Sequence, residues 1–194
     1  MKIFRCVLLL MILFAATTYA ESKPVRIARL PIIFHSTIPD VETRAELETK
    51  IERAIHIPLN GTLQLAEYLP QENSSQVLEG IWQKLSAENK RAKLADAMRP
   101  LAQELDADII VCPIINQYSQ NVVFAWDETV LNSYVQVELI VYDRRADNLI
   151  DKKAAQMYHD AYSLRGTASA LSKICFDNVT DKTKLRQLIR DIRN

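Results

Sequence analysis

Between Val130 and Tyr142 the chain alternates: Val135, Val137, Leu139 and Val141 are apolar, with Gln136 and Glu138 between them. A period of two puts successive side chains on opposite faces of a strand, so one face is buried and the other is wet. A chain with this run is committed to a sheet. Arg144 to Asn148 then predicts a hairpin turn, and Leu149 to Tyr158 a returning strand.

The flanking sequence supplies helices and further strands. Val25 to Phe34 is a first strand, with Pro31 interrupting its end. Asp40 can cap a helix whose apolar stripe is Leu47, Ile51, Ala54 and Ile55. Pro58 and Asn60-Gly61 stop that helix and make a turn. Thr62 to Leu69 follows as a second strand, Pro70 to Asn73 as a loop, and Ser74 or Ser75 as the cap of the next helix. That helix carries Val77, Leu78, Ile81, Trp82 and Leu85 on one stripe. A further stripe is Leu94, Met98, Leu101 and Leu105, where Pro100 should kink or divide the helix.

Asp108 to Asn116 is an apolar strand whose Pro113 points to an edge position or a bulge, and Asn121 to Ala125 continues it past a bend. Gly166-Thr167 opens the last helical region, with one stripe at Leu171, Ile174 and Cys175 and another at Leu185, Leu188, Ile189 and Ile192. The expected order is β-α-β-α-β-β-β-α. The class is α/β (α+β), a single mixed sheet of about five strands with helices packed on it.

The first twenty residues carry a different message. Lys2 and Arg5 precede an apolar run from Cys6 to Ala16, and small residues lead up to Ala20 before the polar Glu21-Ser22-Lys23. This is the layout of a secretory signal peptide cleaved between Ala20 and Glu21. The apolar run is short of the roughly 20 residues a membrane span needs, and an uncleaved anchor is the alternative. A lipobox would place a cysteine at the cleavage point, where Ala20 and Glu21 stand, so the expected product is soluble, periplasmic or secreted, with no stable membrane anchor. The domain division is then 1–20 signal peptide and 21–194 a single exported domain. That mature chain has 22 basic and 24 acidic residues, interspersed, which gives no basic face for nucleic acid. The sequons at Asn60, Asn73 and Asn178 matter only in a host that glycosylates.

Several chemistries lack their residues. The three glycines, Gly61, Gly80 and Gly166, are isolated, whereas a phosphate-cradling loop needs them clustered. There is no Gly-x-Ser-x-Gly elbow, no Cys-x-x-Cys and no His-Glu-x-x-His. His35, His56 and His159 are far apart, so no cofactor and no metal is expected, although a zinc site assembled in space stays open. Tyr118, Phe124, Trp126 and Asp127 cluster around a bend between strands. They are a candidate binding rim; alternatively the aromatics fill the core. Tyr134, Tyr142 and Tyr158 suit cross-strand packing. Cys112 and Cys175 are a candidate disulfide if the compartment is oxidising, or else two buried thiols on apolar elements.

The strand Val25-Arg26-Ile27-Ala28-Arg29-Leu30-Pro31-Ile32-Ile33, the stretch Leu105-Asp106-Ala107-Asp108 leading into Ile109 to Ile115, and the amphipathic strand Val135 to Asp143 occur in that order. This arrangement resembles periplasmic α/β domains of the TolB N-terminal, CsgG and LpoB kind. Pro113 and Ile114 stand where such domains have a glycine. The resemblance implies an envelope assembly or interaction domain without catalysis, and it carries over no functional residue. The expected function is binding of an envelope protein partner. The rivals are a secreted hydrolase or metal-dependent enzyme built from distant Asp, Glu and His, and a small-ligand binder using the Tyr118–Trp126 region.

Overall fold

A computed structural model describes residues 23–37, 39–58, 60–124 and 128–193. Six strands form one sheet: β1 (Val25–Arg29), β2 (Ile33–Phe34), β3 (Ala66–Leu69), β4 (Ile109–Phe124), β5 (Thr129–Asp143) and β6 (Asn148–Ala161). The order across the sheet is β3-β1-β4-β5-β6, with β2 also on β4. β1, β2, β3 and β4 run parallel, and β4, β5 and β6 form an antiparallel meander. The expected signal peptide and its expected cleavage point between Ala20 and Glu21 lie outside the described residues.

Helices cover both faces. α1 (Val41–Ile55), α5 (Ala168–Thr183) and α6 (Leu185–Arg193) pack on one, which we term face A. α3 (Gln71–Glu88) and α4 (Leu94–Glu104) pack on the other, face B. A four-residue helix, α2 (Asn60–Leu63), lies between α1 and β3. β3 is on one side of β1 and β4 on the other. Right-handed crossovers therefore send α1 to one face and α3–α4 to the opposite one.

Local chemistry explains most element boundaries. Asp40 caps α1 by accepting from Thr43 N at 2.8 Å, and that hydrogen bond, with a second from the Thr43 hydroxyl, holds its carboxyl below the usual range. The Thr167 hydroxyl accepts from Ala170 N to start α5. Asn60 clips the start of β3, accepting from Ala66 N at 2.6 Å and donating to Ala66 O at 2.8 Å. This double bond fixes 60–63 as a turn of helix, so the strand expected from Thr62 begins only at Ala66.

Four further expectations are corrected. The first strand breaks at Leu30–Ile32 into β1 and β2. α3 begins at Gln71, so Ser74 and Ser75 sit in its first turn and donate to Pro70 O and Gln71 O instead of capping it. Pro100 lies within a continuous α4 and does not divide it. Pro113 is neither at the edge nor in the bulge: β1 pairs with β4 through Val111 and β2 resumes at Ile114. The proline therefore falls in the gap where no partner needs its missing N–H. The bulge is at Asn116, between Ile115 and Gln117.

β5 has two characters. From Val137 to Asp143 every residue is buried, Val137, Leu139 and Val141 on face A and Ile140 and Tyr142 on face B. From Thr129 to Gln136 only Leu131, Ser133 and Val135 are buried. The registers place these three on face A, where α5 and the turn Leu164–Gly166 lie. Gly166 allows that closeness, since a Cβ there would stand 2.3 Å from the Tyr158 ring. Beyond Glu138, α3 and α4 no longer cover face B. The outer parts of β4, β5 and β6 therefore form a three-stranded arm with one open face.

Candidate functional site

Among the described residues, a cleft and the arm stand out as regions that can engage another molecule. α3, the residues entering α4 and the sheet at β2, β4, β5 and β6 enclose roughly 680 Å³, inside the 300–1,000 Å³ typical of ligand sites. The cleft lies beside the carboxyl end of β2, where open α/β sheets commonly bind ligands. Ile33, Leu78, Trp82, Leu94, Ile114 and Ile140 give it apolar walls.

Its floor is a chain of polar side chains. His35 Nδ1 lies 3.0 Å from Asn116 Oδ1. Asn116 Nδ2 donates to Glu138 Oε2 at 2.6 Å, and Lys153 Nζ is 3.0 Å from the same oxygen. The Asp151 carboxyl lines the same cleft, two residues before Lys153 on β6. Two sequence features build this array. The hairpin register sets Lys153 opposite Glu138 and Asp151 opposite Ile140. The bulge leaves Asn116 unpaired and aims its amide at Glu138.

The Glu138 side chain is only 10% exposed. Burial alone would raise its carboxyl, but hydrogen bonds from Asn116 and Lys153 outweigh burial and hold it below the usual range. Asp151 is pushed up, first by burial and then by the Glu138 charge. The Glu138 hydrogen bond raises Lys153.

The arm is the other region. Phe124, at 82% exposure, and Met157, Tyr162 and Leu164 are all at least half exposed on the arm or the segment leaving it. The registers place Gln117, Ser119, Asn121, Asn132, Tyr134 and Gln136 on its open face, with Ala155, Met157 and His159 beside them on β6. None of these nine is an acid, a lysine or an arginine.

Of the candidate rim, Tyr118 is half buried against the face-A core, and Phe124 is exposed instead of filling it. Trp126 and Asp127 lie outside the described residues. Ile174, expected on the apolar stripe of its helix, is 44% exposed, because Leu171, Cys175 and Phe176 already fill the contact with the sheet. His56 follows the end of α1, and the exposed His159 bonds Asn132. Among the described residues no group of three or more His, Cys, Asp or Glu could hold a metal ion. No helix among them is long and apolar enough to cross a membrane.

Cys112 and Cys175 are free and buried. They do not pair: Cys112 belongs to the face-B core and Cys175 to the face-A core, so the sheet stands between them, whereas a disulfide needs Cα atoms within about 7 Å. Burial pushes both thiols up, Cys175 to about 11.

The cleft went unseen in the sequence because Glu138 fits the alternation as an ordinary solvent-facing residue. A signal existed. Centring the hairpin on residues 144–147 pairs Glu138 with Lys153, an acid and a base opposite each other inside an apolar run.

No family model matches the chain, and no curated protein matches it. Solved structures do match in fold. The hypothetical protein CT253 from Chlamydia trachomatis is similar over 82% of this chain and 96% of its own, at 13% identity and a TM-score of 0.48. Lipoprotein GNA1162 from Neisseria meningitidis is similar over 81% and 99%, at 18% identity and a TM-score of 0.39. The C-terminal domain of LpoB from Salmonella enterica is similar over 74% and 89%, at 8% identity and a TM-score of 0.33. These are coarse likenesses of fold, two of them to proteins of the bacterial lipoprotein or LpoB kind.

Proposed function

We propose that the chain is an exported, non-catalytic domain that binds a protein partner in the bacterial cell envelope, and that the arm is where the partner docks. The observation behind this reading is that Phe124, Met157, Tyr162 and Leu164 are all exposed on the arm or the segment leaving it, Met157 on the face the helices leave uncovered and Phe124 on the other. Exposed apolar groups set among neutral polar ones suit a protein contact. The leader-like first twenty residues support the export part of the reading.

A photo-crosslinking residue at position 157, in protein incubated with envelope extract of its own host, tests it. One dominant crosslinked protein is expected, lost when Phe124→Ser and Leu164→Ser are combined. Crosslinking to no protein, or undiminished crosslinking in the double variant, sinks the arm as the docking surface.

A further inference from the structure

The cleft has a chemistry of its own, separate from the arm. Glu138 and Asp151 are two carboxyls at neighbouring positions of β5 and β6 that both line the cleft beneath its apolar walls. Asn116 and Lys153 both approach the Oε2 oxygen of Glu138, so the pair has one ammonium between two acids. Two neighbouring carboxyls beneath apolar walls favour a proton or a cation between them. The charged groups facing this pair from the surrounding elements are Glu79 on α3, Lys93 before α4, and Lys153 on β6, with His35 after β2. Three acids therefore face two lysines. The start of α4 also borders the cleft, but Asp96 already serves its backbone by accepting from Lys93 N at 2.8 Å. That leaves little call for an anion there. Trp82 lies in the wall, 36% exposed, and an indole face attracts cations as well as apolar groups.

We propose that this cleft binds an organic cation, an ammonium or guanidinium group on an apolar stem, with the charge seated between Glu138 and Asp151 and the stem against Trp82, Leu78 and Ile140. Such a group can come from a free amine or from a lysine or arginine side chain of a polypeptide. The recognition chemistry is shared. Cation and proton compete for the same seat, so binding weakens as pH falls and the carboxyls protonate.

The test uses the chain from Glu21 in a Trp126→Phe background, which leaves Trp82 as the sole tryptophan reporter. Hexylammonium, hexylguanidinium, the peptide acetyl-Leu-Lys-Leu-amide and hexanoate are titrated while Trp82 emission is followed, and calorimetry in two buffers of different ionisation heat measures proton release. The expected result is saturable binding of the cations, no binding of hexanoate, a proton released on binding at mildly acidic pH, and at least a tenfold loss in Asp151→Asn with unchanged circular dichroism. A peptide bound tenfold more tightly than the free amines identifies the source as a polypeptide side chain, and equal affinities identify a free amine. Hexanoate binding as well as the cations do, no saturation by any cation, or full affinity in Asp151→Asn overturns the proposal. The crosslinking result at the arm is independent of all of these.

Discussion

The two halves of β5 answer the same sequence pattern in different ways. In both, odd-numbered residues point into the face-A core. In the half from Val137, α3 and α4 also close over the even positions, and Ile140 and Tyr142 are buried along with them. In the other half the even positions are Asn132, Tyr134 and Gln136, and no helix covers them. The boundary is Glu138, a carboxyl with an apolar core on one side and open sheet on the other. Alternation along a strand therefore specifies one buried face, and the composition of the remaining positions decides whether a second layer can form. The cleft lies at that boundary and the open arm beyond it.

The contrast can be broken or sharpened by mutation. The largest effect is expected at Ile140→Ala, which empties the face-B core and should cost about 2–5 kcal/mol in denaturant unfolding; a cost below about 1 kcal/mol would mean that α3 and α4 contribute no real second core. Gly166→Ala comes next, at about 1–3 kcal/mol, because the new methyl meets the Tyr158 ring. Adding Tyr158→Ala should recover part of that loss, and purely additive costs would mean that the arm's face A is loosely packed.

The carboxyl pair gives a pH signature. Asp151 has a raised carboxyl, so the folded state holds its proton more tightly than the unfolded one, and its contribution to stability falls as pH rises through the folded value. Asp151→Asn should therefore raise Tm by about 1–3 °C at pH 7 and leave it unchanged near pH 3. Glu138 is lowered and has the opposite sign: Glu138→Gln should lower Tm at pH 7, with the loss fading as the pH drops through the folded value. The same direction in both variants would undo the reading of the floor. The smallest effect belongs to the open face. Tyr134→Ala should cost under about 1 kcal/mol, the worth of a cross-strand pair, and a larger loss would show that this face is covered in solution.

Much of this was legible in the sequence where a local signal sufficed. The Asp40 cap and the stripes at Leu47–Ile55 and Leu94–Leu105 stand where spacing and capping chemistry put them, the hairpin turn expected at Arg144 to Asn148 ends one residue earlier, and the last helical region opens at Thr167 as expected. Legibility failed where distant groups decide. Thr62 and Leu63 look strand-like, but Asn60 reaches to Ala66 and winds them into a helical turn. Pro113 looks like an edge residue because nothing local reveals that β1 leaves and β2 arrives on either side of it. Glu138 was read as solvent-facing because its burial comes from α3 and α4, which end 50 and 34 residues earlier in the chain. Phe124 reads from the sequence as either a rim residue or a core filler, and whether a helix reaches it is a property of the helices, not of the strand.

The placement of the two cysteines has a consequence in time. Once the sheet is complete, Cys112 and Cys175 are walled off from each other and from any oxidant. Before that, under oxidising conditions, nothing separates them, and a bond between them would tie a face-B side chain of β4 to a face-A side chain of α5. Folding and oxidation are thus in a race. Refolding the reduced chain with and without an oxidant should show it directly: a cross-linked, non-native product accumulates only when the oxidant is added before the sheet has closed, and a chain with Cys175→Ala is indifferent to the order.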